Sequence, residues 1–128
     1  MVVDSSALLA IHLEEPGWEQ IVAKFADAEV ALISTPTLLE TAMVVSRRAG
    51  RDTRLLVAGL IREFGVQVTP FTEAHYHAAI DAFLRFGKGR HPAALNFGDC
   101  MAYAVASVSG LPLLYVGKDF SRTDIPAA

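Results

Sequence analysis

Four short apolar runs, each followed at a distance by another of the same kind, constrain this chain more than any other feature. They lie at residues 2–3 (VV), 30–34 (VALIS), 66–69 (VQVT) and 113–116 (LLYV). Apart from VQVT they are close to continuously apolar and do not alternate with polar residues, so the set predicts strands of a sheet covered on both faces. The stretches between them carry helix signals in pairs: 5–14 and 17–28, 35–49 and 52–64, then 72–86 and 96–109. The order β-α-α-β-α-α-β-α-α-β predicts an α/β layer structure with a mainly parallel sheet of four or five strands. Crossovers between parallel strands are right-handed, and binding sites in such sheets form beyond the carboxyl ends of the strands. Those ends are therefore where functional side chains are sought.

Local punctuation supports the helix limits. Pro36 favours the first helical position, which predicts Thr35 as the cap of the third helix; Gly50, Gly65 and Gly110 are stop signals. Leu39, Met43 and Ser46, with Leu38, Ala42 and Val45, recur at helical spacing. Together with residues 55–60 they are expected to be mostly core, any surplus forming a dimer seam. The uncharged run 100–117 is interrupted by Ser107, Ser109, Gly110 and Pro112, and reads as a buried helix followed by a buried strand, not as a membrane span.

Size and composition close off other classes. With 128 residues, one domain over 1–128 is expected. A hydrophobic content of 52% is too high for a disordered chain. The single cysteine, Cys100, excludes an intramolecular disulfide and a cysteine-based zinc site. The opening MVVDSSALLA has no basic segment and carries Asp4, so no signal peptide is expected and the protein is assigned to the cytoplasm. The apolar surplus predicts surface hidden in an oligomer or partner complex.

Four acids fall where the topology places a site. Asp4 follows the first strand, Glu40 lies in the first turns of the helix after the second, Asp99 opens the helix before the fourth, and Asp119 lies just past the fourth. Carboxylates gathered at one sheet edge suit Mg²⁺ or Mn²⁺, which prefer oxygen ligands and retain water. Each acid also has a purely structural explanation. Asp4 is a possible helix cap, Thr37–Glu40 matches a capping box, Asn96 and Asp99 form another cap-and-acid pair, and Asp119 suits a turn. Pro36 argues against the box at Glu40 by starting the helix earlier.

In combination these segments resemble the PIN-domain ribonucleases, specifically VapC-type toxins of toxin–antitoxin pairs. MVVDSSALLAIHLEEP is similar to the family's opening strand, with Asp4 followed two residues on by Ser6. STPTLLET matches the segment that supplies the family's glutamate, here Glu40. LNFGDCMAYAVA carries Asp99, and LPLLYVGKDFSRTDI carries Asp119. The resemblance runs from residue 2 to residue 125. It implies a PIN-domain α/β/α sandwich, RNA phosphodiester hydrolysis by metal-activated water with Mg²⁺ (Mn²⁺ substituting), and inhibition of translation and growth. It implies Asp4 and Asp99 as the firmest metal ligands, Glu40 and Asp119 completing the catalytic set, and Ser6 as a polar support. It also implies two partners, a VapB-type antitoxin and a second copy of the chain. Where the family often has a second acid or amide, just before the last Asp, this chain has Lys118, a possible contact for substrate phosphate.

The formal net charge is −3, from 11 Lys+Arg against 14 Asp+Glu, which is unusual for an RNA enzyme. Setting the four proposed ligands aside leaves 10 acids against 11 bases, so the acidity is concentrated at the site. Lys88 and Arg90, in the loop FGKGRHP before the Asp99 helix, are the better RNA-contact residues; Gly87-Lys88-Gly89 lacks P-loop spacing. Arg47, Arg48, Arg51 and Arg54 read equally as helix-end charges or as phosphate contacts. His75 and His77, two apart, do not share a helix face. A signalling receiver domain shares the length and element order but needs an acid pair after the first strand and an Asp ending the third; this chain has Asp4-Ser5-Ser6 and Thr69-Pro70. A PIN-like module that binds RNA or a partner without cleaving it is the alternative reading. A transfer or ribosomal RNA loop is the expected substrate, because single-stranded loops expose their bases.

Overall fold

The computed structural model describes residues 1–128. The chain runs β1 (Val2–Val3), α1 (Ser5–His12), α2 (Trp18–Asp27), β2 (Leu32–Ser34), α3 (Thr35–Ala49), α4 (Arg54–Glu63), β3 (Gln67–Thr69), α5 (Glu73–Phe86), α6 (Phe97–Ser109) and β4 (Leu113–Leu114), then a 3₁₀ turn at Phe120–Arg122. The sheet order is β3-β2-β1-β4 and every pairing is parallel. Val2 stands beside both Leu32 and Leu113, so the first strand is central. The chain beyond the 3₁₀ turn touches the β4 edge through one parallel bridge, Leu113 with Ala127.

The continuous apolar character of the strands has a direct cause. Consecutive strand residues point to opposite faces, and in β1, β2 and β4 both faces are covered, whereas the edge strand β3 is exposed at Gln67 and Val68. Val2 and Leu113 join the core beneath α5 and α6 with Leu95, Tyr103 and Val105. Val3 and Leu114 join the opposite core with Leu8, Ile33 and Val66. The element order read from the sequence is the observed one, and strands and helices end within a few residues of the predicted limits.

Two expectations are corrected. The cap of α3 is Ser34, not Thr35: Ser34 ends β2 in extended conformation, and its hydroxyl accepts from the Thr37 N–H at 3.4 Å, with Pro36 one position further into the helix. The fully buried residues of α3 are Thr37, Thr41 and Val45, four residues apart; of the leucine–methionine stripe only Leu38 packs against the core. The two threonines are satisfied locally. Thr41 Oγ1 donates to the Thr37 carbonyl at 2.8 Å, and the Ser34 and Thr37 hydroxyls are 2.9 Å apart. Leu39 and Met43 are 61% and 63% exposed and Leu55 is 91% exposed, while on α4 only Val57 is buried. Gly50 ends α3 at φ 63, a left-handed conformation natural to glycine. No helix is long and apolar enough to cross a membrane.

Candidate functional site

The site grows from the point where β1 ends. Asp4 leaves the strand extended and caps α1: its Oδ2 accepts from the Ser6 N–H at 3.0 Å and from the Ser6 hydroxyl at 2.6 Å. The Ser6 hydroxyl oxygen in turn accepts from the Val116 N–H at 3.0 Å. One serine therefore ties the first acid to the segment that follows β4 and leads to Asp119. Asp4 is only 5% exposed. Burial pushes its carboxyl above the ordinary range, the charge of Glu40 adds to the shift, and the Ser6 bonds oppose it.

Asp99 occupies the third position of α6 in a complete capping box. The Asp99 N–H donates to Asn96 Oδ1 at 3.0 Å, and the Asn96 N–H donates to Asp99 Oδ2 at 2.8 Å. Its carboxyl is pushed up to about 6, first by burial and then by the charges of Asp4 and Asp119, against the Asn96 bond. Glu40 is half-buried on α3, and its carboxylate lies against the first turn of α6: a Cβ built on Gly98 would stand 2.5 Å from Oε1 and 2.7 Å from Oε2. Asp119 is exposed in the turn before the 3₁₀ segment and makes no side-chain cap bond.

Two of the structural explanations therefore hold together with the functional one. Asp4 and Asp99 do cap helices, whereas Glu40 lies beyond the capping positions and Asp119 caps nothing. Capping alone does not account for the burial, because a cap carboxylate works equally well in water. Asp4 feels Glu40, and Asp99 feels Asp4 and Asp119, so the four acids form one electrostatic neighbourhood. None of them has a cationic partner. The ion pairs of the protein are Arg54–Asp52, Arg85–Asp124 and His77–Glu73. No three acidic, imidazole or thiol groups already stand at ligating distance around one point. The donor set is thus all-oxygen, uncompensated and open. That chemistry fits Mg²⁺ or Mn²⁺ held by a few carboxylates with water filling the remaining positions.

None of the basic residues pairs with these acids. Lys88, Arg90 and Lys118 are exposed and unpaired. The 87–95 loop is closed at its neck by Lys88 N–H to the Leu95 carbonyl at 2.9 Å and Leu95 N–H to the Phe86 carbonyl at 3.0 Å. The Arg90 guanidinium rests 5.2 Å from the Phe83 ring centroid. Arg54 is engaged with Asp52, leaving Arg47, Arg48 and Arg51 free. His75 is a cap partner, its Nδ1 accepting from the Thr72 N–H at 3.0 Å. Burial, and secondarily Asp99, pushes the Cys100 thiol up, as befits a packed and inert cysteine.

Two apolar grooves flank the acids. One of about 450 Å³ runs between α5 and the start of α6, lined by Tyr76, Ile80, Phe83 and Phe97. The other, about 300 Å³, lies between α3 and α6 and is lined by Leu39, Met43, Phe97 and Glu40. Phe97, 79% exposed, belongs to both. Sequence reasoning missed the close approach of the Glu40 carboxylate to Gly98; its signal was a glycine in the first turn of an otherwise alanine-rich helix. It also missed the Arg85–Asp124–Tyr103 cluster, whose members are far apart in the chain.

A parallel α/β sandwich with an un-neutralised acid set at its carboxyl edge defines the class, and comparison with known proteins agrees. The PIN-domain family model matches residues 1–126. Ribonuclease VapC36 of Mycobacterium tuberculosis is 45% identical over 126 residues, covering 98% of this chain and 91% of the relative. Ribonuclease VapC of Mycolicibacterium smegmatis is 42% identical over 127 residues, covering 99% and 98%. Among solved structures, Mycobacterium tuberculosis VapC20, described as a sarcin–ricin loop cleaving toxin, superposes with a TM-score of 0.78 at 21% identity over 99% of this chain and 97% of that one. A toxin–antitoxin complex from Klebsiella pneumoniae gives 0.69 at 17% identity over 96% and 92%; these two likenesses speak to the fold alone. The chain belongs to the PIN-domain family and, within it, to the VapC ribonucleases.

Proposed function

We propose that this protein is a Mg²⁺-dependent endoribonuclease and the toxin of a VapBC-type pair, acting in the cytoplasm to inhibit translation and growth. The observation that carries the reading is a set of four acids, two of them with raised carboxyl pKa values, that the protein leaves without any cation of its own. Asp4 and Asp99 are the principal ligands, with Glu40 and Asp119 completing the set directly or through water. Mn²⁺ substitutes for Mg²⁺. Bound there, the cation supplies Lewis-acid polarisation of a phosphate and a more acidic water.

The residues of the chain do the rest. Ser6 fixes the Asp4 carboxylate and the segment leading to Asp119. The Asn96 N–H orients Asp99. Lys88, Arg90 and Lys118 sit on the rim as contacts for the RNA backbone. With the acids neutralised the surface is nearly balanced, so RNA affinity depends on the cation and this local rim. A loop of transfer or ribosomal RNA is the proposed substrate. The apolar grooves beside the acids are the proposed seats of a VapB-type antitoxin and of a second copy of the chain.

One observation favours a second reading, a catalytically weak PIN-like module that binds RNA or a partner: no three ligands converge on one point. The two separate cleanly. Purified, antitoxin-free protein incubated with total RNA should yield discrete fragments with Mg²⁺ or Mn²⁺ and none with EDTA. In cells, wild-type protein should arrest growth and Asp99→Asn should not. No metal-dependent fragments, with arrest persisting in Asp99→Asn, selects the binding module.

A further inference from the structure

We infer that Gly98 is a positioning residue for Glu40: the space where its side chain would be is the space in which the Glu40 carboxylate lies against the first turn of α6. This rests on the proposed role of Glu40 in the acid set. The three heavy atoms nearest a Cβ at position 98 are Glu40 Oε1, Oε2 and Cδ, at 2.5, 2.7 and 2.9 Å. Real Cβ atoms do not stand so close to other atoms, so one of the two groups has to move. No backbone atom comes as near, and Glu40, the flexible partner, is the one displaced.

The backbone itself does not call for glycine here. Gly98 lies in the first turn of α6 with ordinary helical geometry, unlike the left-handed Gly50 and Gly110. Glycine is the poorest helix former after proline, and alanine is the best. The rest of α6 is rich in alanine. A helix built for stability alone would carry alanine at 98. The residue present sacrifices helix propensity and gains the close approach of a carboxylate from α3, seated next to the helix N-terminus where negative charge is favoured.

The test is a double-mutant cycle on the full chain with two further readouts. Gly98→Ala should keep the circular-dichroism spectrum and a Tm in EDTA no lower than wild type, because alanine suits the helix and only a side-chain end must move. Mg²⁺-dependent RNA cleavage should fall at least about tenfold, the lower range seen when a ligand's supporting neighbour is lost. Mn²⁺ affinity, measured by calorimetry without RNA, should fall with it. Glu40→Asp withdraws the carboxylate by one methylene and should lower cleavage in the wild-type background. In the Gly98→Ala background it should add little further loss, because the two changes disturb one interaction. Cleavage and Mn²⁺ binding equal to wild type in Gly98→Ala overturn the positioning role while leaving the nuclease reading intact. So do losses that simply multiply in the double variant. Wild-type protein that neither cleaves RNA nor binds Mn²⁺ overturns the nuclease reading, and the positioning role with it.

Discussion

Two pairs of aspartates in this molecule have opposite fates. Asp52 and Asp124 are surface residues with arginines. Asp52 is clamped by Arg54 at 2.7 Å, and those bonds hold its carboxyl down at about 2. Asp124 accepts from the Tyr103 hydroxyl and from Arg85, each at 2.6 Å, and is likewise held low. Asp4 and Asp99 are buried or half-buried, bonded only to neutral serine and asparagine groups, and pushed upward. Arginines stand where neutralisation matters little, because surface pairs add little stability. They are absent where it matters most. An unneutralised pair retained in this way is what a site for an exogenous cation looks like.

The sharpest way to break this contrast is to exchange the pairs in a mutational comparison. Asp4→Ala or Asp99→Asn should lower Mg²⁺-dependent cleavage by more than about 100-fold, beyond the loss typical of outer-shell partners. Asp52→Asn and Asp124→Asn should cleave like wild type. Equal losses in both pairs in a gel-based cleavage assay would erase the distinction.

Stability should show the reverse preference. In EDTA, Asp99→Asn should melt at or above the wild-type temperature, since the amide keeps the capping geometry and removes a buried charge. Mn²⁺ at about 100 times its Kd should stabilise wild type by about 2.7 kcal/mol and leave Asp99→Asn unmoved. Calorimetric melts with and without Mn²⁺ measure both effects.

The pH profile sharpens the comparison further. Asp99 has a folded carboxyl raised from the ordinary 3.8 to about 6. Its contribution to stability is therefore complete below about 4 and is lost as pH rises through about 6. Metal-free protein should lose this part of its stability across that window, while cleavage, which needs the ionised carboxylate, should rise through it. Asp52, held at about 2, has the opposite sign: its contribution is present above about 4 and lost as pH falls through about 2. Denaturant melts at several pH values, with Asp99→Asn as reference, isolate the first term.

The smallest effects belong to the paired acids. Tyr103→Phe removes one hydrogen bond to Asp124 but leaves Arg85 and water, so a loss of about 1 kcal/mol is expected in urea unfolding. Asp52→Asn should leave the unfolding midpoint nearly unchanged in the same assay.

What was legible in the sequence follows from which interactions are local. Strands covered on both faces are largely apolar, so β1, β2 and β4 were visible, the edge strand β3 carried only Val66 and Val68 as its signal, and glycine stops marked the ends of α3 and α6. Asp4 and Asp119 were visible because each follows a strand closely, and Glu40 and Asp99 because they lie in the opening turns of helices. The exposed face of α3 was not, because Leu39 and Met43 have the same spacing whether they meet a core or a partner, while Thr37 and Thr41 bury themselves through bonds within their own helix. Nor could local rules choose Ser34 over Thr35 as cap, since both carry a hydroxyl before Pro36. Asp124 with Tyr103 and Arg85, and Gly98 with Glu40, join residues distant in the chain, and no periodicity announces such pairs.

The central position of β1 has a consequence in time. The strand before Asp4 rests on β4, and Ser6 is tied to Val116 across 110 residues. The acid set therefore cannot assemble on a partly made chain. Helices α1 to α6 rest mainly on local bonds, but the edge that gathers Asp4 and Asp119 forms only once β4 has joined β1. A chain proposed to attack the translation machinery therefore carries no complete acid set until its fourth strand is seated beside its first.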